Sequence, residues 1–355
     1  MRATEDNRHY TQNPRAGHDE CNRDLSPVDA IALQLALGLL PVCRPSALRA
    51  SVLKRIGCLD ELPGWIIAHL PCIQEDALAR PLVPSTAFAD AWIQIDRTEH
   101  PRFFVNLLDA TRARLLDRAR TSPREFFAPL ALRPGLNVLD VGCGTGDFVR
   151  LLAPIVSPGT AVGVDLSETM IAEARQRSAQ NLDNLSFRVG SVLELPFPAA
   201  SFDRVLATQL LLHVPDPLKA LVEIKRVLAP SGVISITEID WGTLVVQSSD
   251  KELGRRFSDL ACRELRNGLI IRELPGQLRE LGFNHVVICP EIEVAQDLDA
   301  FYTWFVEPSL KHFKGIGAFS EVEADAFLSD LKERARRGHY FSSRTYYTVL
   351  ASQSS

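Results

Sequence analysis

Between Asn137 and Phe148 the chain reads NVLDVGCGTGDF, a short apolar run followed by three glycines at every second position and then an acid. The run has the length and composition of a buried strand, and the glycines after it mark a tight turn that brings backbone close to a ligand. A glycine loop in that place predicts a cofactor cradle. A dinucleotide requires glycine at the first, third and sixth positions, with its pyrophosphate on the N-terminus of the next helix. Here Gly142, Gly144 and Gly146 alternate and the sixth position is Asp147. A carboxylate at that helix end occupies the positive pole of the dipole and repels a pyrophosphate. The loop suits a ligand without phosphates better, and a nicotinamide dinucleotide stays as the rival.

Outward from the loop, β-rich runs alternate with helical stretches. Strands are expected at 137–142, 161–166, 185–190, 203–210, 232–239, 285–292 and 345–352, with helices such as SETMIAEARQRSA and DPLKALVEIKRVL between the early ones. Near-continuous apolar strands in alternation with helices imply an α/β, doubly wound, mostly parallel seven-stranded sheet covered on both faces. Ligands in such a sheet bind at the carboxyl ends of the strands. Before the first strand, PRFFVNLLDATRARLLDRAR (101–120) carries apolar residues at helical spacing. Further upstream, residues 1–26 have too little apolar surface to offset the entropy of ordering and are expected to be a disordered tail. Residues 27–90 read as a helical N-terminal appendage: Ser26 caps, Pro27 takes the first helical position, and VDAIALQLALGLL is apolar on nearly every face. These helices would bury themselves as a homodimer interface or as a lid.

Composition excludes several classes. With 355 residues, 46% of them hydrophobic, the chain can bury one large core or one core plus an appendage. The net charge of -5, with Lys and Arg dispersed, offers no footprint for nucleic acid. The longest apolar run, 31–42, is too short to span a bilayer, so no membrane role is expected. Cys21, Cys43, Cys58, Cys72, Cys143, Cys262 and Cys289 lie far apart without a CxxC pair, and nothing in the spacing of His100, His312 and His339 argues for a metal. The cysteines read as reduced thiols, and the polar start lacks the apolar core of a secretory signal; a cytoplasmic location is expected.

The ordered stretches VLDVGCGTGDF, AVGVDLSETMIAEARQ and LSFRVGSVLELPFPAASFDRVLATQLLLHVPDPLKALVEIKRVLAPSGVISI together resemble a class I S-adenosylmethionine-dependent methyltransferase. The likeness is nearest to the small-molecule branch with quinone-biosynthesis and natural-product enzymes, and it covers about residues 96–353. It implies a Rossmann-like methyltransferase domain over 91–355 whose segment at about 244–335 covers the substrate. It further implies that Asp140, Gly142, Gly144 and Gly146 shape the methionine and ribose site. Asp165, with Leu166 beside it, would take the ribose hydroxyls, and Thr208 and Gln209 would line the methionine side. A carboxylate that ends a buried strand can accept from two vicinal hydroxyls; the alternative is that Asp165 only caps the helix after it. One position departs from the pattern. Where relatives place an acid to accept from the adenine amine, Ser191 follows Gly190, so a hydroxyl or the backbone of Val192 would serve instead.

The cofactor in this reading is S-adenosyl-L-methionine and the partner is a small-molecule substrate, apolar or aromatic. Methyl transfer is an in-line displacement that alignment alone accelerates strongly, and a base is needed only if the acceptor must lose a proton. His213 in LATQLLLHVPDP is a candidate base or a structural histidine, and Asp240 in ITEIDWGT is a candidate carboxylate beside Glu238. Trp241, Phe103, Phe104, Tyr302, Trp304, Phe305 and His312 are candidates for the substrate pocket, although aromatic residues at helical spacing also serve as core. Two other readings use the same loop: a cofactor-binding regulatory or scaffold subunit, and methylation of a protein or carrier-bound substrate.

Overall fold

The apolar run before the glycines forms an inner strand of a seven-stranded sheet in a computed structural model, which describes residues 88–178, 182–299 and 301–353. The tail expected over 1–26 and, but for residues 88–90, the helical appendage expected over 27–90, with the dimer interface or lid it would supply, lie outside the described residues.

The strands are β1 (Val138–Val141), β2 (Ala161–Asp165), β3 (Leu185–Val189), β4 (Phe202–Thr208), β5 (Leu228–Val246), β6 (His285–Ala295) and β7 (Ser342–Ser352). Their order is β3-β2-β1-β4-β5-β7-β6. The first five pair in parallel, and β7 runs antiparallel to both β5 and β6. All seven expected strands are present, within a few residues at each end except in β5. That strand continues through a register shift between Asp240 and Val245, where β7 supplies partners beyond the sheet's edge.

Helix α1 (Pro101–Thr121) precedes the sheet, with proline in its first turn. Helices α2 (Asp147–Val156) and α3 (Glu168–Gln176) follow β1 and β2, and α4 (Pro217–Val227) joins β4 to β5. Beyond β5 come α5 (Lys251–Arg263) and α6 (Ile270–Glu280), then, after β6, α7 (Glu307–Gly315) and α8 (Glu321–Arg336). Their starts are encoded locally. Ser167 accepts from the Met170 amide, Asp216 from Lys219, and Ser320 with Glu323 forms a reciprocal capping box.

Period two in the strands separates the two cores. Val138 and Ala161 join Leu116, Phe148, Leu152 and Ile171 beneath α1, α2 and α3. Leu139, Val141, Val162 and Val164 face the opposite cluster with Leu221, Ile224, Leu274 and Leu278 of α4 and α6. Every residue of β1 is buried, so the glycine loop that follows stands on a strand anchored from both sides. Within 244–335, β6 belongs to the sheet, and only part of that segment reaches the carboxyl ends of the strands. Among the described residues, no helix is long and apolar enough to cross a membrane.

Candidate active site

The glycine loop folds over the end of β2. The amides of Gly142 and Cys143 both donate to the Val164 carbonyl, at 2.8 and 3.0 Å. The Gly144 amide donates to Asp165 Oδ2 at 2.8 Å and the Ser167 amide to Oδ1 at 3.0 Å. Asp165 thus ties the loop to the start of α3. Because a carboxylate offers about four lone-pair sites, two remain for hydroxyls of a ligand. Burial raises its pKa, opposed by those two amides and by Arg112. Gly144 has φ 54°, which strains any other residue, and a Cβ there would stand 2.5 Å from Leu108 Cδ2 and have to displace that side chain of α1. The Cys143 thiol is buried and pushed well above its ordinary pKa, chiefly by desolvation, which disfavours the thiolate that a nucleophile needs.

Asp147 fills the N-terminal end of α2. It accepts from Thr145 Oγ1 at 2.9 Å and from Arg120 and Arg150 at 2.7 Å each. Desolvation opposes its ionisation, but Arg150, Thr145 and Arg120 outweigh it and hold the carboxyl below the ordinary range. Two guanidinium groups therefore neutralise the charge expected to repel a pyrophosphate. The helix end is closed to phosphate because its own carboxylate already occupies it.

A cavity of about 250 Å³ opens over the carboxyl ends of β1, β2, β4 and β5. It brings together Gly142, Gly144, Asp165, Leu166, Ser191, Val192, Gln209, His213, Trp241 and Phe305 from distant parts of the sequence. Ser191 Oγ accepts from the Leu193 amide at 3.1 Å. The remaining expected residues do not line this cavity. Asp140 is buried below the loop, its pKa pushed up to about 7 by desolvation against the opposing Arg112. Gly146 packs on Phe187, and Thr208 faces a separate space with Ser235 and Thr237. Asp240 is drawn away by Arg272, whose Nε donates to it at 2.9 Å. Phe104 is core against Trp92, and Tyr302 packs on Tyr340. Phe103, Trp304 and His312 line a minor cleft of about 20 Å³, where His312 Nε2 lies 3.0 Å from Glu264. Phe301 immediately precedes the π-helical turn Tyr302–Val306, and residues four apart share a helix face, so Phe301 and Phe305 reach the cavity together while Tyr302 and Trp304 do not.

The site also contains residues that the sequence reading passed over. Arg112 of α1 is buried, donates from Nε to Gln209 Oε1 at 3.0 Å and from Nη2 to the Thr208 carbonyl, and lines the cavity beside Gly144. Its signal was an arginine on the apolar stripe formed by Phe104, Leu108 and Leu116. Glu238, which the sequence reading did name beside Asp240, is completely buried and does not line the cavity. Its Oε1 accepts from the Leu210 and Leu211 amides at 2.9 and 2.6 Å while Oε2 has no hydrogen-bond partner among the described residues, and desolvation pushes its pKa up to about 8. It thereby holds the turn in which Gln209 adopts φ 54° and presents its amide to Arg112. Trp92, Ile93 and Ile95 close one wall, anchored where Asp96 accepts from Ser167 Oγ and from the Glu168 and Thr169 amides.

His213 stacks on Trp92 with centroids 4.9 Å apart, and burial with the nearby Arg112 and Arg266 pushes its pKa down to about 3. It is a neutral imidazole at neutral pH. The far half of the cavity is aromatic: Trp241 and Phe305 lie 4.7 Å apart, Phe301 stacks on Phe305 at 4.9 Å, and the Arg344 guanidinium sits 3.8 Å above Phe301. Among the described residues, no group of three or more His, Cys, Asp or Glu side chains is arranged to hold a metal ion.

The family model described as a methyltransferase domain matches residues 132–284. An uncharacterized 37.1 kDa protein of transposon TN4556 from Streptomyces fradiae is 31% identical over 238 residues, 66% of this chain and 68% of that one. A demethylmenaquinone methyltransferase of Symbiobacterium thermophilum is 42% identical over 112 residues, 31% of this chain and 45% of that enzyme, so the match spans less than half of the enzyme's length. Among solved structures, the YcgJ protein of Bacillus subtilis aligns with TM-score 0.47 at 18% identity, over 66% of this chain and 100% of that one.

Proposed function

The chain belongs to the S-adenosylmethionine-dependent methyltransferases, and on that premise we propose that it methylates an oxygen, nitrogen or carbon atom of a small metabolite with an apolar or aromatic body. It is an enzyme, and its cofactor is S-adenosyl-L-methionine. The observation that carries the proposal is a single cavity with two unlike halves. One half joins bare glycine backbone, a strand-end carboxylate and a buried guanidinium; the other is walled by Trp241, Phe301 and Phe305. A cofactor with a zwitterionic amino-acid end, a ribose and a sulfonium matches the first, and a flat apolar acceptor matches the second.

Within this proposal each residue has a definite task. Asp165 accepts from the ribose hydroxyls, and Arg112 takes the carboxylate of the methionine moiety through a charge-assisted contact. Gly142 and Gly144 let that moiety approach the backbone. Ser191 and Val192 meet the adenine edge. The cofactor supplies an electrophilic methyl carbon; the protein's part is to align the acceptor with it and to exclude water. A neutral His213 can receive a proton from a hydroxyl acceptor, although its low pKa makes it a weak base. The demethylmenaquinone methyltransferases, which share a substantial part of this domain, support a quinol-like ring as one acceptor to test.

The test is calorimetry of the full chain with S-adenosylmethionine and with NAD, followed by detection of S-adenosylhomocysteine on incubation with metabolite extracts. Binding of the sulfonium cofactor with turnover on a small-molecule fraction is expected. Preference for NAD, or tight cofactor binding without turnover on any fraction, would overturn the proposal.

A further inference from the structure

The aromatic half of the cavity contains one feature that an apolar acceptor does not require. Arg344 on β7 is 5% exposed and lines the cavity among Phe301, Phe305, Trp241 and Tyr346. Its orientation is fixed: Nε donates to Tyr346 Oη at 3.1 Å, Nη2 to Glu293 Oε2 at 2.9 Å, and the guanidinium plane rests over the Phe301 ring. Among the described residues Nη1 donates to no acceptor. Burying a guanidinium costs desolvation free energy that an apolar side chain would avoid. Its partner Glu293 is shared, since Arg114 Nε stands 3.8 Å from the same carboxylate. Of the described residues lining the cavity, Arg112 and Arg344 are cations and Asp165 is the acid. A bound sulfonium adds a further positive charge, so the cavity loaded with cofactor favours an acceptor of negative charge.

We propose that the methyl acceptor carries an oxyanion, a carboxylate or phenolate on a flat ring, and that Arg344 receives it while Phe301, Phe305 and Trp241 hold the ring. A planar guanidinium with a fixed, unused donor suits an anionic oxygen, and its stacking on Phe301 prevents it from swinging out to water. The inference rests on the methyltransferase reading of this cavity and narrows its substrate class. Arg344 acts here as a specificity residue for the acceptor, separate from the contacts of the cofactor half.

Three probes differ only in the oxyanion they can present: 4-methoxybenzoate offers a carboxylate, methyl 4-hydroxybenzoate a phenol that ionises, and methyl 4-methoxybenzoate neither. Each is titrated calorimetrically at pH 9 into the full chain loaded with S-adenosylhomocysteine. One of the first two is expected to bind at least about tenfold tighter than the third, the scale of one charge-assisted hydrogen bond, and which one does identifies the oxyanion. In Arg344→Gln that advantage should fall to within about threefold while cofactor affinity stays within about twofold, and Arg344→Lys should keep part of it. Should Arg344→Gln fail to fold, Glu293→Gln provides the second reading. Removing the counter-ion is expected to tighten the oxyanion probe severalfold and to leave the neutral one unchanged. Equal behaviour of all three probes, including no binding by any, or an advantage that survives Arg344→Gln, overturns the proposal. Cofactor affinity and S-adenosylhomocysteine formation on metabolite extracts test the methyltransferase reading separately.

Discussion

Replacing Glu238 with glutamine should change how stability responds to pH. The carboxyl is fully buried, and its pKa is pushed from the ordinary 4.5 up to about 8, first by desolvation, against the opposing Leu211 and Leu210 amides and Arg112. An acid that holds its proton more tightly when folded contributes stability that is complete below its unfolded pKa and is lost as the pH rises through the folded one. At about 1.4 kcal/mol per pKa unit, the loss between pH 4.5 and about 8 is on the order of 4–5 kcal/mol. Glu238→Gln keeps an Oε1 that can accept from Leu210 and Leu211 but never ionises, so it should match the wild type near pH 5 and melt higher at pH 9. With a few degrees of melting temperature per kcal/mol for a domain of this size, the gap should open by on the order of 10 °C between those pH values. Thermal unfolding of both proteins at pH 5, 7 and 9, in the same buffer ions, measures it. Curves that stay parallel across the range would refute a protonated Glu238. The companion variant Glu238→Leu leaves two turn amides unpaired at about 1–3 kcal/mol each, and should weaken cofactor binding at least about tenfold by releasing Gln209 and Arg112.

Asp165→Asn should weaken S-adenosylmethionine by about 30- to 150-fold in calorimetry, for the loss of about 2–3 kcal/mol of charge-assisted bonding to two hydroxyls; a change under threefold would remove the ribose role. Arg112→Met should raise the Kd for the cofactor at least about tenfold through loss of one charge-assisted contact, and methionine methyl ester should lose its disadvantage against methionine as a competitor in that variant. His213 is held neutral down to about pH 3, so turnover should show no histidine limb between pH 5 and 8, and His213→Asn should lower the rate without altering the shape of the profile. An ionisation near 6.5 that disappears in the variant would contradict that.

Much of the fold was legible because strand runs buried on both faces must be apolar throughout, and the helices between them carry their own caps. Ser167, Asp216 and Ser320 announce helix starts whose side chains bond as their positions require. The closeness of the loop residues Gly142 and Gly144 to the strand-end Asp165 was legible for the same reason: it follows from segments within about two dozen residues of one another. The acceptor half was not. Helical spacing offered Phe103, Tyr302, Trp304 and His312 as readily as Phe305, and of these only Phe305 lines the cavity, together with Phe301, which the sequence reading did not single out. Asp240 and Glu238 share a strand face by period two. Both are buried, and only the approach of Arg272 to one and of the Gln209–Leu211 turn to the other makes Asp240 half of an ion pair and leaves Glu238 an acid held by backbone amides.

By itself, then, the chain of residues determined the doubly wound sheet and the glycine loop, because these depend on periodicity, turn chemistry and local capping, while the kind of cofactor followed from the resemblance of its ordered motifs to a methyltransferase family. Tertiary structure alone decided which cations face the cavity. Arg112 and Arg344 lie 232 positions apart on a helix before the sheet and on its antiparallel strand, and their ordinary place is the surface. What sets their chemistry is desolvation by packing from distant elements, a quantity that no local pattern encodes.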